Sequence, residues 1–228
     1  MIGVRLQGRL GNQMFQISAA RAHAARHGFR FVDPHPDQTL SDAIAQGLES
    51  YHEPSFHYRT IPKIDNIRLC GFFQSEKYFA DHGDLIRSLW PSPIAMPGCC
   101  GIHIRRGDYV GNENYAQLTF DNYYERAIRA LPEHEFYVIF SDDVEWCKAQ
   151  HWVKWLGDRV RFSAYSDPKQ DMAALAGCDS IIMANSSFSW WAAWLSGHNR
   201  IIAPEQWFAG PLAHYDTLDL IPDRWVRI

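Results

Sequence analysis

Two adjacent arginines, Arg105 and Arg106, are the residues of this 228-residue chain whose type and spacing most directly suggest chemistry. They follow His103 in a run where Ile102 and Ile104 alternate with polar residues, as in a buried strand that ends in polar groups. Adjacent guanidiniums repel each other unless an anion lies beside them, and the planar fork of arginine matches pairs of phosphate oxygens. The pattern therefore predicts an anion site, with phosphate as the favoured ligand.

Asp108 leaves the use of these arginines open. Its carboxylate can pair with one guanidinium, fix its rotamer and leave the other guanidinium for a ligand. The whole stretch can also be an ordinary surface turn with an arginine–aspartate pair, and spacing alone does not separate the two interpretations. The tripeptide Arg106–Asp108 matches a cell-adhesion motif as well, but three residues are too short a match to indicate a function.

Two other apolar runs, 136–140 and 181–184, also end in polar side chains. The polar residues are Ser141, Asp142 and Asp143 after the first run, and Asn185, Ser186, Ser187 and Ser189 after the second. Parallel strands have their carboxyl ends at one edge of the sheet, where α/β proteins bind ligands. The second cluster opens a helix, whose free N–H groups favour an anion. With the arginines, these clusters predict a diphosphate site, where the acids can serve a base or a ribose.

Several of these residues also have a purely structural interpretation. The serines can cap the helix that they open, and Asp143 can cap the segment that runs to Cys147. Near the amino terminus, the turn Gly8–Gln13 resembles the start of a nucleotide-binding fold, but Leu10 stands where the second glycine of G-x-G-x-x-G would be. Close backbone packing explains its glycines equally well, so the turn is a weak phosphate signal.

Short apolar runs that alternate with helical periodicity predict a doubly wound α/β protein with mainly parallel sheets. The prolines of 91–97 indicate a linker between an N-terminal half, 1–92, and a C-terminal half, 98–228. We expect strands at 4–6, 29–33, 67–73, 99–104, 136–140, 160–162, 181–184 and 200–204. We expect helices at about 14–27, 78–89, 121–131, 168–176 and 187–195, and a loop at 34–65 with one short helix near 41–46.

Charge and composition limit the function classes. The net charge of −4 gives no general attraction to nucleic acid, so any anion site is local. The first residues do not resemble a signal peptide, and no apolar run reaches about 20 residues, so we expect a cytoplasmic protein that at most associates peripherally with the inner face of the membrane. Five cysteines without a Cys-x-x-Cys pair indicate reduced core thiols rather than a zinc site. The absence of Asp-x-Asp argues against a divalent metal at the diphosphate.

Three motifs together resemble the bacterial α-1,2-fucosyltransferases of glycosyltransferase family 11. The motifs are Gly8–Gln16, His103–Tyr109 and Asn185–Trp191, and they stand in the same order as in that family. The resemblance implies a GT-B-like architecture of two Rossmann-type halves, with the donor GDP-L-fucose held mainly by the C-terminal half. It further implies metal-independent, inverting transfer of fucose to the 2-hydroxyl of a galactoside in the synthesis of a surface glycan.

The resemblance also implies roles for individual residues. Arg105 matches the essential diphosphate-binding arginine of the family, with His103 and Asp108 beside it as catalytic candidates. The turn that holds Arg9 is similar to the loop of protein O-fucosyltransferases where an arginine and an asparagine approach the leaving phosphate, although family 11 more often has glycine there. The implied substrate contacts are Arg106, Gly11, Asn12, Asp142, Asn185, Ser186, Ser187 and Ser189. No cofactor or metal is implied, and the partners are GDP-fucose and a galactoside-containing glycan.

The segment between the first motif and His103 is shorter than is usual in the family. Residues 34–65 stand where the N-terminal, acceptor-side half would normally contact the acceptor, so this half is reduced. The alternative to an active transferase is therefore a catalytically weak protein that binds a nucleotide sugar or a glycan. A phosphate or nucleotide hydrolase is a third interpretation, which the missing P-loop and metal motif disfavour.

Overall fold

The computed structural model describes residues 1–34, 47–198 and 200–228. Contacts between residues divide the chain into two compact units. The first unit is Met1–Trp90 with Asp216–Pro222, and the second is Pro91–Tyr215 with Asp223–Ile228. A short segment near the carboxyl terminus therefore belongs to the first unit, although the residues on both sides of it belong to the second.

The first unit contains a three-stranded parallel sheet in the order β1-β3-β2. Its strands are β1 (Ile2–Val4), β2 (Glu49–His52) and β3 (Ile67–Cys70), and its helices are α1 (Leu10–His27) and α2 (Gly83–Leu89). α1 buries Met14 and Phe15 together with several alanines, whose small side chains permit close packing. The helix ends at Gly28, which has the left-handed backbone conformation (φ +69°) that favours glycine at this position.

Two of the predicted strands in this unit, 29–33 and 4–6, are wrong in whole or in part, and one strand lies inside the predicted loop 34–65. Residues 29–33 do not form a strand and make only a single bridge, between Phe31 and Ile2. The third strand is β2, an exposed edge strand of polar sequence that main-chain pairing holds against β3. β1 lies at 2–4 rather than 4–6 because Ile2 pairs with Ile67. Main-chain pairing at a sheet edge requires no periodic pattern of side chains, so no local pattern of residues predicted β2.

The helix predicted at 78–89 is interrupted. Two 3-10 turns, Glu76–Tyr78 and Ala80–His82, precede α2. Phe79 between them has φ −146° and ψ 0°, which is not helical, and its side chain is fully buried. We infer that packing of this ring, rather than continuous helical bonding, sets the backbone here. The short helix predicted near 41–46 lies outside the described residues.

A buried carboxylate attaches Asp216–Pro222 to the rest of the first unit. Oδ2 of Asp219 accepts the Tyr58 N–H at 3.1 Å and lies 2.8 Å from Nδ1 of His57, while Oδ1 pairs with Lys77. Burial would raise the pKa of Asp219, but the hydrogen bonds from Lys77 and the Tyr58 N–H hold this pKa below its usual value. The carboxylate is therefore charged at neutral pH and links two distant parts of the chain.

The second unit contains a six-stranded sheet in the order β6-β5-β4-β7-β8-β9, in which all neighbouring strands are parallel. Its strands are β4 (Met96–Ile104), β5 (Phe136–Ser141), β6 (Val160–Phe162), β7 (Cys178–Ile182), β8 (Ile201–Ala203) and β9 (Val226–Arg227). The sequence did not predict β9. Like β2, it is a short edge strand that main-chain pairing, here with β8, holds in place.

The helices of the second unit are α3 (Tyr123–Ala130), α4 (Val144–Ala149), α5 (His151–Leu156), α6 (Pro168–Ala176) and α7 (Ser187–Ser196). In α7, Trp190, Trp191 and Trp194 are almost fully buried. Their rings pack edge to face, with centres 5.2 and 5.5 Å apart, which is a favourable arrangement for aromatic pairs. This tryptophan cluster therefore belongs to the core of the unit.

The predicted α/β class with mainly parallel sheets is confirmed, and the N-terminal sheet is the smaller of the two. Two units of alternating strands and helices agree with the GT-B-like expectation. The five cysteines are buried and unpaired, as predicted. Among the described residues, no helix combines the length and the apolar character that are needed to cross a membrane.

Candidate active site

The three polar clusters follow neighbouring strands, as the sequence predicted. β4 lies between β5 and β7, and both pairings are parallel. Ile104 at the end of β4 pairs with Ser141 at the end of β5, and Ile102 pairs with Ile182 at the end of β7. The polar residues that follow these strands therefore share one edge of the sheet, which is where parallel α/β sheets bind ligands.

Arg105 is held by two carboxylates. Its Nη1 lies 2.5 Å from Oδ2 of Asp142, and its Nη2 pairs with Oδ1 of Asp108. The guanidinium carbon also lies 5.8 Å from the ring centre of Tyr109, within range of a cation–π interaction. The expected pairing of Asp108 with one arginine is thus present, and a second carboxylate that the sequence did not assign to Arg105 joins it.

Arg106 is held by Asp143, the second of the two acids that follow β5. Its Nε donates to Oδ2 of Asp143 at 2.9 Å, and its guanidinium carbon lies 4.0 Å from the ring centre of Trp146. Its main-chain N–H donates to Oδ1 of Asp142 at 2.9 Å. Oδ1 of Asp143 also accepts the Trp146 N–H at 3.1 Å and caps α4, so the structural interpretation of Asp143 is confirmed. The hydrogen bonds from Arg106 and from this N–H lower the pKa of Asp143.

His103 is an uncharged ring beneath this edge. Its side chain is almost fully buried, and burial lowers the pKa of His103 to about 3. Asp142 opposes this change and Arg105 adds to it, but neither outweighs burial. The ring packs 5.2 Å from that of Phe188. His103 therefore carries no positive charge near neutral pH, and any catalytic role for it would have to use the neutral imidazole.

Asn185 ties two loops together. Its Nδ2 donates to the carbonyl of Ala116 at 3.0 Å and to the carbonyl of Trp207 at 2.9 Å. Its main-chain carbonyl accepts a hydrogen bond from the Tyr109 hydroxyl at 3.2 Å. The side chain is 2% exposed. In this structure Asn185 therefore positions the loops after β4 and β8, and a direct contact with substrate stays a prediction.

The serines at the start of α7 take part in internal hydrogen bonds. The Ser186 hydroxyl accepts the Phe188 N–H at 3.4 Å, so its interpretation as a helix cap is confirmed. The fully buried Ser189 hydroxyl lies 3.2 Å from each of the carbonyls of Ala184 and Ser186. Ser187 is the first residue of α7 and is partly exposed. Phosphate contacts from these serines stay a prediction.

A small solvent-open cleft, with enclosed room for about one water molecule, lies beside the two arginines. Arg105 and Arg106 line it together with Tyr109, Gln117 and Tyr124. The sequence had indicated neither Gln117 nor Tyr124 as a site residue, because Gln117 lies in a stretch without a motif and Tyr124 lies in a predicted helix that carried no site signal. The available signal was positional, since these residues closely follow the strand whose end forms the predicted site. Both arginines therefore line one solvent-open space.

Side-chain amides hold part of the N-terminal turn by hydrogen bonds within the first unit. Gly8 has φ +75°, and a Cβ there would lie 2.5 Å from Nδ2 of Asn12. Oδ1 of Asn12 accepts a hydrogen bond from Gln74 at 2.8 Å. Close packing thus explains Gly8, which supports the structural interpretation of this glycine. Arg9 precedes α1 in an extended conformation and Gly11 is buried in its first turn. Their proposed roles toward substrate stay predictions.

A buried glutamine holds the same turn from the other side. Oε1 of Gln16 accepts the Gln7 N–H at 3.0 Å, and its Nε2 donates to the Gln7 carbonyl at 3.1 Å. Gln16 is fully buried although it is polar. The pair of hydrogen bonds satisfies its amide and fixes the backbone that leads into the turn.

Within the described ranges, no three His, Cys, Asp or Glu side chains are grouped as a metal ion would require.

Comparisons with known proteins agree with the resemblance of the motifs. An alpha-1,2-colitosyltransferase of Escherichia coli is 29% identical over 100% of this chain and 99% of its own length. An O-antigen biosynthesis glycosyltransferase of Escherichia coli, WbnK, is 32% identical, and the match covers 70% of this chain and 60% of that protein. The bovine galactoside 2-alpha-L-fucosyltransferase SEC1 is 25% identical, with 87% of this chain and 65% of that protein covered.

The alignment with the colitosyltransferase extends over 291 positions, so that relative carries segments which this 228-residue chain lacks. Among solved structures, the NodZ alpha-1,6-fucosyltransferase soaked with GDP-fucose matches with a TM-score of 0.46 and 16% identity, over 85% of this chain and 91% of that chain. The family described as "Glycosyl transferase family 11" matches residues 29–227, nearly the whole chain. This protein therefore belongs to glycosyltransferase family 11.

Proposed function

We propose that this glycosyltransferase transfers L-fucose from GDP-L-fucose to the 2-hydroxyl of a galactoside in a glycan. The observation that carries the proposal is the pair of arginines at the end of β4, which line an open cleft beside the ends of β5 and β7. Galactoside 2-alpha-L-fucosyltransferases among its relatives support the choice of donor and acceptor. We further propose that the reaction inverts the anomeric centre and needs no metal ion or other cofactor.

The arginines suit the charge that develops in such a reaction. Breaking the bond between the sugar and the diphosphate passes through an oxocarbenium-like state, in which negative charge grows on the leaving phosphate oxygen. A guanidinium aimed at that oxygen stabilises the transition state more than the ground state, and this difference accelerates the reaction. We propose this role for Arg105, whose guanidinium pairs with Asp142 and which lines the cleft.

Inversion places a further requirement on the acceptor. Its 2-hydroxyl must approach the fucosyl carbon from the face opposite the leaving diphosphate, and a base beside that hydroxyl would remove its proton. His103 is buried and uncharged, and it lies on the strand that carries the arginines. We therefore assign the diphosphate side to β4 and its loop, and we assign no base.

We also propose that the protein works in the cytoplasm, in association with a membrane that presents the acceptor.

A colitosyl donor is the second candidate. The specific observation in its favour is the alpha-1,2-colitosyltransferase, which aligns with the whole of this chain. The fucosyltransferases among the relatives, in contrast, are covered to about two thirds of their length. Both donors would present the same diphosphate to Arg105 and Arg106, so the arginines do not choose between them. Selection would depend on contacts with the sugar ring.

The test is a transfer assay with the purified full chain and EDTA throughout. GDP-L-fucose and GDP-colitose are each supplied with a panel of β-galactosides, and the products are identified by mass spectrometry and by the anomeric configuration in NMR spectra. We expect transfer of fucose, with inversion, in the presence of EDTA. Preferred transfer of colitose would move the assignment to the second donor. Transfer that requires added divalent metal would contradict the metal-free mechanism.

The same assay separates the transferase from its alternatives. If neither donor is transferred or hydrolysed, the proposal is wrong. Calorimetric binding of GDP without turnover would then favour a nucleotide-sugar-binding protein with little catalytic activity. Release of phosphate from GTP, without any sugar chemistry, would favour a hydrolase.

A further inference from the structure

The two carboxylates on Arg105 are held very differently. Both carboxylate oxygens of Asp142 have partners within the unit. Oδ2 pairs with Nη1 of Arg105, and Oδ1 accepts a hydrogen bond from the main-chain N–H of Arg106. A Cβ at Gly107 would lie 2.7 Å from Oδ2 of Asp142, so the absence of a side chain there lets the turn pack directly against this carboxylate. Asp142 follows a central strand and its side chain is 28% exposed. It is therefore a fixed part of the site.

Asp108 is the more exposed of the two partners. It lies in a single 3-10 turn, Gly107–Tyr109, in the loop after β4, and its side chain is 49% exposed. Its carboxylate meets Nη2 of Arg105, on the guanidinium that lines the cleft. A half-exposed ion pair contributes little to stability and can be exchanged for another partner at small cost.

The charges of the site show why an exchange is needed. Two guanidiniums face three carboxylates, those of Asp108, Asp142 and Asp143, so the cluster has a net negative charge before any ligand arrives. A diphosphate that approached Arg105 with Asp108 still in place would meet a like charge at close range, which opposes binding. A phosphate oxygen can make the same charge-assisted hydrogen bond to Nη2 as the carboxylate does.

We propose that Asp108 is a displaceable counter-ion, which occupies the phosphate position on Arg105 in the empty site and leaves it when the donor binds. This proposal rests on the proposed function, since it explains how the donor site would exclude anions that carry a single negative charge. A ligand with a single negative charge competes poorly with a carboxylate that is already present. A diphosphate, which reaches both arginines, competes well. Asp108 is thus a specificity-determining residue for doubly charged leaving groups.

The test is calorimetric titration of wild type and Asp108→Asn with three probes: GDP, inorganic pyrophosphate and guanosine. We expect Asp108→Asn to bind GDP and pyrophosphate at least threefold more tightly than wild type, because the competing charge is gone. Binding of guanosine should be unchanged, since it has no phosphate. Asp142→Asn should weaken binding of both anions at least threefold, because the fixed partner of Arg105 and of the Arg106 N–H is lost.

A remote charge serves as the matched control. Asp158→Asn removes one negative charge from an exposed turn of the same unit and should leave all three affinities within a factor of two. A thermal melt of each variant checks that it is folded. Equal or weaker binding of GDP by Asp108→Asn than by wild type would overturn the inference and show that Asp108 orients Arg105. The proposed function would survive that result as long as wild type binds GDP. Failure of every variant to bind GDP and pyrophosphate would overturn both.

Discussion

The N-terminal turn of the first unit and the arginine turn of the second were both expected to approach a phosphate, yet they are built in opposite ways. Side-chain amides hold part of the first, and the fully buried Gln16 bonds to the main chain of Gln7. Ion pairs hold the second, and its arginines line an open cleft. Buried amide bonds fix a backbone and are costly to break, whereas partly exposed ion pairs can be exchanged for a ligand. Substitution of Gln16 should therefore affect folding, and substitutions of the arginines in the second turn should affect binding and rate.

The largest expected effect is on the rate. Arg105→Ala should lower kcat/KM for GDP-fucose by about 10²–10³-fold, because a fixed donor to the leaving phosphate is lost. Arg105→Lys should retain only a part of the wild-type kcat/KM, since an ammonium cannot bind two oxygens in the manner of a guanidinium. The melting temperature should change by only a few degrees. Arg126→Ala, at an exposed pair with Asp121, is the control and should leave the rate unchanged. Transfer by Arg105→Ala within threefold of wild type would show that this turn does no chemistry.

The next effect is on stability, in the first unit. Gln16→Ala should lower the free energy of unfolding by about 1–3 kcal/mol, because it removes the two hydrogen bonds that the buried amide makes with the Gln7 main chain. The matched control is Gln13→Ala, whose exposed amide donates to the Gly8 carbonyl at 3.0 Å and should cost about 0.5 kcal/mol. Urea denaturation measures both. Equal losses would mean that burial does not distinguish the two glutamines.

A buried histidine in each unit gives a pH dependence. Burial lowers the pKa of His23 to about 4 and that of His103 to about 3. Below the usual value of about 6.5 the unfolded chain gains protons that the folded chain does not, so stability should fall as the pH falls. For each histidine, the free energy of unfolding should fall by up to about 2 kcal/mol between pH 6.5 and pH 5. Urea denaturation across this range should show a smaller slope in His23→Phe and in His103→Phe. An unchanged slope in both would contradict the burial argument.

The smallest expected effect concerns two glycines of the first unit. Gly8 and Gly28 both have a left-handed backbone, with φ +75° and +69°. Gly28→Ala should cost about 1 kcal/mol from the backbone alone, since its Cβ would meet nothing within 4 Å. Gly8→Ala should cost about 1 kcal/mol more, because Asn12 must move and lose its hydrogen bond from Gln74. Equal losses in thermal denaturation would show that the turn has room to adjust.

The elements with their own side-chain signals agree with the sequence prediction. β5 and α6 lie where the apolar run 136–140 and the segment 168–176 placed them. The start and end of α7 follow from the Ser186 cap and from Gly197, which has φ +73°. The elements without such signals were missed. β2 and β9 are held by main-chain pairing at sheet edges, and Phe79 interrupts a helix because of where its ring is buried.

The sequence by itself determined the α/β class and the placement of Arg105, Asp142 and Asn185 at one edge of a sheet, because strand ends and polar runs are local features. Only the tertiary structure decided how these groups are used. It pairs Arg105 with both Asp108 and Asp142, turns the Asn185 amide toward two loop carbonyls, and brings Asp219 into the first unit. These partners are chosen by distance and burial between parts of the chain far apart in sequence, and no local pattern of residues records them.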